Sequence, residues 1–345
     1  MNTEFFNALD ELERKRGIPK EYMLDRIEKA ILNAAKKEAG TTNVKVVIDP
    51  VKADVKAYRL LEVVEDVTDD KSQISLEDAN ALSKRNRKYS IGNILEVEMK
   101  TKNFGRISAQ TAKQGVIQAI REFERGIMVQ EYESKREDII SAVIEKVDET
   151  SGNAVVNTGT GFATLLKKEQ LPGDNFKPGD HVKVFITEVR PASETKGPIV
   201  TLSRTHQNFV KRLFELEVPE IAEGTVSVMG ITREAGNRTK ISVMSRSEGV
   251  DPVGSCIGSR GIRISAIMKE LNGEKIDIIK YSENPEEYVK AALSPATVKD
   301  VILENERSYR VIVDADQLSL AIGREGQNAR LAAKLTGFKI DIKTE

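Results

Sequence analysis

A pair of glycines separated by two residues occurs twice in this sequence, each time in the same surroundings. The segments "CIGSRGIRISAIMKELNG" and "AIGREGQNARLAAKLTG" both place the pair before an apolar helical pattern, and the letters Ile-Asp-Ile follow each of them. Gly258 and Gly323 are 65 residues apart, whereas the two Ile-Asp-Ile segments are 64 residues apart. A whole supersecondary unit that recurs with so small a slip is an internal repeat.

Each copy of the repeat reads as helix, strand, strand, helix, helix, strand. In the first copy, a helix near 207–216 precedes "GTVSVMGITRE" and "RTKISVMSR", and the glycine pair and "EKIDIIK" follow. In the second copy, a helix near 285–293 precedes "VKDVILEN" and "SYRVIVDA", and the second pair and "FKIDIK" follow. Alternation marks the strands and helical spacing marks the helices. The sequence therefore predicts two tandem αββααβ domains, at 206–281 and 282–345.

Five short strand patterns fill the preceding segment, 131–205, and turn signals such as Ser-Gly and Pro-Gly separate them. Five strands in so short a segment suit a small closed barrel, and the five-stranded OB fold is the natural candidate. Two sets of side chains alternate along the fourth strand, so one of the sets must face outward. The sets are Val182, Val184 and Ile186 against His181, Lys183 and Phe185.

The first 130 residues combine long helical patterns with a few strands. Two helices are separated at Gly17-Ile18-Pro19, because proline favours the first turn of a helix, and Gly40 is the expected C-cap of the second. Strands with a turn at Asp49-Pro50 follow, then a short helix capped by Ser75, another strand and a long helix. The predicted fold class is α+β multidomain: an α+β head with long helices at 1–130, the barrel at 131–205, and the two repeat domains.

The composition indicates several domains, none of them strongly charged. The 345 residues include 53 Lys and Arg against 54 Asp and Glu, which gives a formal net charge of −1. A nucleic-acid function would therefore depend on local patches instead of a global field. No apolar run approaches the roughly 18 residues of a membrane span, and the N-terminus lacks the layout of a signal peptide. The single cysteine, Cys256, suits a reducing compartment, so we expect a cytoplasmic protein without a membrane partner.

The glycine pair has a physical use as a clamp for a sugar-phosphate chain. Gly-x-x-Gly between two helices forms a tight turn that another backbone can approach closely, and the turn amides and the following helix N-terminus point outward with partial positive charge. Such a loop can hold about four nucleotides of single-stranded RNA. The candidate RNA-binding residues are Gly258, Ser259, Arg260, Gly261 and Arg263 in the first copy, and Gly323, Arg324, Glu325, Gly326, Gln327, Asn328 and Arg330 in the second.

Glu325 opposes this use, because a carboxylate repels phosphate; we expect it to face away or to weaken the second clamp. A lone Gly-x-x-Gly is common in ordinary helix turns, but two copies in the same αββααβ frame favour RNA binding. In the barrel, stacking and phosphate contact suggest a further RNA face, although Phe162 or Phe185 could equally belong to the core. The barrel candidates are Phe162, His181, Lys183, Phe185 and Arg190.

The sequence contains no pattern typical of an enzyme. It has no Walker loop, nucleophile elbow or Cys-His arrangement, and its two histidines, His181 and His206, lack metal-ligand spacing. The acidic run between Glu62 and Asp70 reads as a solvated face. We expect neither a cofactor nor a metal. Two rivals remain: an RNA-processing enzyme, which would need a larger catalytic core, and a general or ribosome-associated RNA-binding protein.

Several stretches resemble one known family. They include "FGRISAQTAKQ", "LFELEVPEIAEGTV", "VDPVGSCIGSRG" and "LSLAIGREGQNARLAAKLTG". The two repeats resemble KH domains of the bacterial type, type II, the barrel resembles an S1-like OB fold, and their order behind an α+β head resembles the bacterial NusA family of transcription termination and antitermination factors. The chain ends soon after the second repeat, so the acidic C-terminal repeats of some members, and self-inhibition through them, are expected to be absent.

The resemblance implies a monomeric elongation factor without catalytic activity. The head would dock on core RNA polymerase, while barrel and KH domains would bind nascent single-stranded RNA. The factor would act in pausing, intrinsic termination and antitermination together with other Nus factors. By the same resemblance, the apolar end of the first helix would be the polymerase contact, unless it merely closes the core of the head. Its residues are Phe5, Phe6 and Leu9.

Overall fold

The computed structural model describes residues 3–49, 54–82, 88–99, 102–190 and 200–344. Their contacts define two compact units, 1–127 and 128–345. Within the described ranges, no helix is both long enough and apolar enough to cross a membrane. The predicted division into four domains at 130, 205 and 281 stays a prediction.

The first unit pairs long helices with a small sheet. Its elements are α1 (Thr3–Arg16), α2 (Lys20–Ala39), β1 (Val44–Asp49), β2 (Asp54–Val64), β3 (Gln73–Ser75), α3 (Leu76–Ala81), β4 (Ile94–Glu98) and the start of α4 (Lys102–Ser134). β2 is central and pairs with β1, β3 and β4. The predicted helices and strands are confirmed, as are two predicted caps: Gly40 adopts a left-handed conformation, and Ser75 Oγ accepts a hydrogen bond from the Asp78 amide. The turn predicted at Asp49-Pro50 lies outside the described residues.

The second unit begins with the predicted five-stranded barrel. Its strands are β5 (Ile139–Val147), β6 (Ala154–Asn157), β7 (Phe162–Leu165), β8 (His181–Val189) and β9 (Val200–Ser203), in the order β7-β6-β5-β8-β9. β7 also lies beside β9, so the sheet curls into a nearly closed barrel. Val182, Val184 and Ile186 point into its core, which settles which face of β8 is outward.

The two αββααβ repeats follow as predicted. The first contains α5 (Gln207–Glu217), α6 (Pro219–Ala222), β10 (Val226–Glu234), β11 (Arg238–Ser245), α7 (Pro252–Ile257), α8 (Ile262–Glu270) and β12 (Lys275–Lys280). The second contains α9 (Pro285–Ala292), β13 (Asp300–Asn305), β14 (Ser308–Val313), α10 (Leu318–Ile322), α11 (Gln327–Thr336) and β15 (Lys339–Thr344). In each, the first two strands are antiparallel and the Ile-Asp-Ile strand is parallel to the second.

Buried arginines join the barrel to the first repeat. The Arg204 guanidinium donates to Asp174 Oδ2 (3.0 Å) and the Lys183 carbonyl (2.6 Å) in the barrel, and to Glu270 Oε1 (2.9 Å) at the end of α8. Arg233 pairs with the buried Glu274 and also donates to the Arg204 carbonyl at 2.8 Å. Because both arginines are hydrogen-bonded and almost fully buried, these contacts hold the barrel and the first repeat together.

The second repeat packs its helices on the sheet of the first. α11 lies against β10 and β11, Thr232 Oγ1 donates to the Leu331 carbonyl at 3.2 Å, and the Tyr288 hydroxyl donates to Ser242 Oγ at 2.9 Å. The fully buried Lys240 ammonium donates to the Ser294 carbonyl at 2.6 Å. The first repeat is therefore enclosed on both sides, by the barrel on its helices and by the second repeat on its sheet.

Candidate nucleic-acid interface

The two Gly-x-x-Gly loops have the same backbone conformation. Gly258 and Gly323 lie at φ 73°, ψ 171° and φ 75°, ψ 172°. Arg260 and Glu325, the third residues of the loops, lie at φ 52°, ψ 27° and φ 53°, ψ 26°. Such agreement between segments with different side chains means that the backbone is what the repeat preserves.

Both loops present unpaired amides to solvent. Within the described part of the chain, the amide nitrogens of Ser259 and Arg260 donate no intrachain hydrogen bond, and the same holds for Arg324 and Glu325. The side chains are also exposed: 93% of the Arg324 side chain and 83% of the Glu325 side chain are accessible. Adjacent amides of this kind beside a helix N-terminus can bind an anion such as a phosphate.

The first glycine of each loop is required by geometry. At positive φ with ψ near 170°, the backbone is in a region that only glycine adopts readily. A Cβ on Gly258 would lie 2.7 Å from Arg263 Cγ, and one on Gly323 would lie 2.8 Å from the Asn328 backbone nitrogen. By contrast, a Cβ on Gly261 would meet nothing closer than 3.8 Å, and one on Gly326 nothing within 4 Å. The second glycines therefore have free space around them.

In the first loop, Arg263 braces the turn. Its Nη1 donates to Glu220 Oε2 at 2.9 Å and to the Ser255 carbonyl at 2.6 Å, just before Gly258. Arg263 was predicted to contact RNA; its Nη1 binds α6 and α7 and holds the loop, and a contact of its guanidinium with RNA stays a prediction. Cys256 is buried beside it, and burial raises the pKa of the thiol to about 12.

In the second loop, Asn328 has the equivalent position and also acts inside the fold. It is 1% exposed, and its Nδ2 donates to the carbonyls of Ala321 and Leu293, each at 3.0 Å. The prediction that Asn328 contacts RNA is therefore wrong, because its amide secures the turn. Gln327 and Arg330 are turned towards the first repeat, where both donate to Glu234.

The barrel brings several predicted residues to one face. His181 is opposite Val143, Val143 opposite Asn157, and Asn157 opposite Phe162 in the strand registers. Directly opposed residues share a face, so Phe162 and His181 end one row of the outer surface. Phe162 is 67% exposed, and Lys183 lies two residues after His181 on the same side. Arg190 follows β8 directly, and its Nε lies 3.8 Å from Glu188. The role of these four in RNA binding stays a prediction.

Phe185 does not belong to this exposed face. It is 1% exposed, it packs among apolar residues of the barrel and the first repeat, and its ring stacks on His206 at 5.1 Å. The prediction that Phe185 faces RNA is wrong. Phe185 lies on the face of β8 opposite Val182, Val184 and Ile186 and so outside the barrel core, but α5 covers that part of the barrel.

The apolar end of α1 is also largely buried. Phe6 and Leu9 are 3% and 1% exposed in the core of the first unit, and Phe5 packs against that core and edge-on to Phe6, with ring centroids 5.5 Å apart. The expectation that Phe6 and Leu9 are an exposed polymerase contact is therefore wrong, because these side chains close the core of the head. Phe5 is half-buried and stays a candidate.

The charged residues that hold the barrel and the two repeats together were not identified in the sequence. Arg204, Arg233 and Lys240 are charged, and charged side chains are ordinarily read as surface. Along β11, Lys240 and Ser242 alternate with Thr239, Ile241 and Val243, yet all five are buried. The second repeat packs on the face of Lys240 and Ser242, where Ser294 and Tyr288 contact them, and this packing explains the burial of the two polar side chains.

Known protein families match along most of the chain. Residues 4–126 match the NusA N-terminal domain, residues 204–281 the NusA-like first KH domain, and residues 285–345 the NusA-like second KH domain. The two KH matches coincide with the two αββααβ repeats, so both loops described above are Gly-x-x-Gly loops of KH domains.

Curated relatives extend this likeness over the full length. The transcription termination/antitermination protein NusA of Bacillus subtilis is 46% identical over 347 residues, which cover 100% of this chain and 92% of the relative. The proteins of the same name from Thermus thermophilus and Rickettsia prowazekii are each 37% identical, over 99% and 100% of this chain and 90% and 68% of their own lengths. This chain therefore belongs to the NusA family of transcription termination/antitermination proteins.

Proposed function

We propose that the chain is an RNA-binding elongation factor that modulates pausing, intrinsic termination and antitermination through nascent single-stranded RNA. One observation carries the proposal: two loops of identical backbone conformation each present adjacent unpaired amides at a helix N-terminus. This arrangement binds phosphates without a cationic domain, which suits a chain whose net charge is −1.

The RNA surface would run from the barrel to both KH loops. Phe162 and His181 would stack bases on the barrel, Lys183 and Arg190 would contact phosphates, and the two loops would hold the backbone further along. The buried contacts of Arg204 and Lys240 support one fixed surface, because neither junction can bend without exposing a buried charge. RNA long enough to reach all sites should bind much more tightly than RNA that reaches one.

Core RNA polymerase is the proposed protein partner, with the head as its docking domain. The support is the family, whose members act in transcription termination and antitermination by name. In this proposal the chain catalyses no reaction, acts as a monomer and assembles with other Nus factors. Phe5, which is half-buried near the start of the first helix, is the residue proposed for this contact.

RNA binding is tested best at Gly261. Aspartate at Gly258 would place its Cβ 2.7 Å from Arg263, so a loss of binding could reflect misfolding. Gly261 has free space and a left-handed conformation, φ 73° and ψ 18°, which Asp and Asn both tolerate. Gly261→Asp should weaken the binding of a labelled single-stranded RNA by about 1–3 kcal/mol, the value of one lost contact. Gly261→Asn is the matched control, because it has the same shape without the charge.

The outcomes separate the alternatives. Equal affinities of the Asp and Asn variants would show that a negative charge at the first loop does not affect RNA binding, and hence that RNA does not contact this loop. Shortened RNA after incubation of the wild type with Mg²⁺ or phosphate would support a processing enzyme instead. Failure of the full chain to retain core RNA polymerase would leave an RNA-binding protein without the proposed partner, whereas longer pause lifetimes in a purified transcription reaction would support the elongation factor.

A further inference from the structure

The two KH loops differ in the residue that braces them. The first loop is braced from within its own domain, because Arg263, the second residue of α8, pairs with Glu220 of α6. In the second loop the equivalent residue is Asn328, which is uncharged and donates to backbone carbonyls. A charged contact that holds the second loop must therefore come from a residue other than the equivalent of Arg263.

Glu234, the last residue of β10 in the first KH domain, provides that brace. Its Oε2 accepts from Gln327 Nε2 at 2.7 Å, and its Oε1 accepts from Arg330 Nε at 2.8 Å. Both partners are in the first turns of α11, directly after the second loop. The hydrogen bonds from Arg330 and Gln327 hold the pKa of Glu234 below its ordinary value, so the carboxylate is charged at neutral pH.

Arg330 transmits the contact into the loop. While its Nε binds Glu234, its Nη1 donates to the Glu325 carbonyl at 3.1 Å. Glu325 lies at φ 53° without being glycine, a conformation that persists when the surrounding structure determines it. The chain from Glu234 through Arg330 to the Glu325 carbonyl fixes the Glu325–Gly326 peptide, which directly follows the two peptides whose amides are unpaired.

We propose that Glu234 is a positioning residue for the second RNA clamp, so that the first KH domain completes the RNA site of the second. The inference rests on the proposed RNA-binding function and names the contact that couples the two clamps. It explains how a loop that contains a repelling carboxylate keeps the conformation of its partner, whose third residue is an arginine.

Two measurements on the full chain test the role of Glu234. Amide hydrogen exchange at Gly326 and Gln327, whose amides donate to the Gly323 and Arg324 carbonyls, requires no RNA. In Glu234→Ala it should become faster by about three- to tenfold, within the range of coupling between groups in direct contact. The affinity for a single-stranded RNA that spans both loops should fall by about the same factor. Glu234→Gln keeps an acceptor oxygen without the charge and should have a smaller effect on both.

A double-mutant cycle assigns the effect to the second loop. In Gly326→Asp, which cripples that clamp, Glu234→Ala should cause no further loss of RNA affinity. In Gly261→Asp, which cripples the first clamp, the full loss should persist. Glu223→Ala removes an exposed glutamate of the same domain and controls for net charge.

Three results would overturn the role of Glu234. Tighter RNA binding by Glu234→Ala would mean that Glu234 competes with RNA for Arg330. Unchanged exchange and affinity would mean that the contact is incidental, and equal losses in both loop backgrounds would mean a general change of fold. If the wild type bound no RNA, the proposed function itself would fail, while the exchange experiment would still decide whether the brace exists.

Discussion

The two KH domains of this chain share a loop backbone but differ in their surroundings. The first is enclosed, with the barrel on its helices and the second domain on its sheet, and its Asp277 is paired with Arg238 and Lys240. The equivalent strand of the second domain is open, and its Asp341 forms a half-exposed pair with Lys343 at 3.1 Å. The repeat therefore preserves the Gly-x-x-Gly turn, whereas the faces used for domain packing have diverged.

The two central aspartates of the Ile-Asp-Ile strands should differ most in their effect on stability. Asp277→Asn leaves the fully buried Lys240 without its counter-charge, which should lower the free energy of unfolding by about 3–5 kcal/mol. Asp341→Asn removes an exposed pair and should cost about 0–1 kcal/mol. Urea unfolding followed by circular dichroism measures both. Equal losses would show that the burial of Asp277 does not matter for folding.

The fall of the free energy of unfolding at acid pH tests the ion pair of Asp277 and Lys240 again. Burial alone would raise the pKa of Asp277, but the hydrogen bond from Arg238 and the charge of Lys240 outweigh it and hold the pKa below its ordinary value. The native state therefore binds fewer protons at this site than the unfolded chain, and the stability it contributes at neutral pH is lost as pH falls below about 4. In Asp277→Asn, stability should fall less steeply in this range.

Much of this architecture could be read from the sequence, because it depends on local rules. The break between α1 and α2, the Ser75 cap and the loop glycines follow from backbone and capping preferences that need no tertiary information. The environments of Phe185, Phe6 and Asn328 could not be read in the same way. Each environment depends on which element packs over the side chain. The periodicity of the sequence places a side chain on one face of its helix or strand, but it does not show which other element covers that face. The burial of Lys240 could not be read either, because the second domain covers it.

Alanine at the first glycine of a loop should cost more stability in the second loop than in the first. Alanine at Gly323 places a Cβ 2.8 Å from the Asn328 backbone nitrogen, which cannot move without shifting α11, whereas at Gly258 the obstacle is the Arg263 side chain. We expect Gly323→Ala to lose about 3 kcal/mol of stability and Gly258→Ala about 1–2 kcal/mol, from backbone strain plus crowding. The midpoints of urea unfolding measure the difference. A greater loss at Gly258 would mean that Arg263 is less adaptable than its exposure suggests.

The smallest expected difference concerns the charges at the third position of each loop. Arg260 and Glu325 have the same left-handed backbone and are both exposed, so exchanging their charges changes the field at the clamp without new strain. Glu325→Arg should strengthen RNA binding by about 1 kcal/mol at low salt, and Arg260→Glu should weaken it by about as much. The slope of log affinity against log salt should change by roughly 0.7 for each phosphate whose neutralisation the substitution adds or removes. Because the brace from Glu234 acts through the Glu325 carbonyl and not its side chain, the gain in affinity from Glu325→Arg should be smaller in the Glu234→Ala background. If Glu325→Arg changed neither affinity nor salt dependence while Arg260→Glu did, RNA would follow the first loop alone, and the second KH domain would serve to cover the sheet of the first.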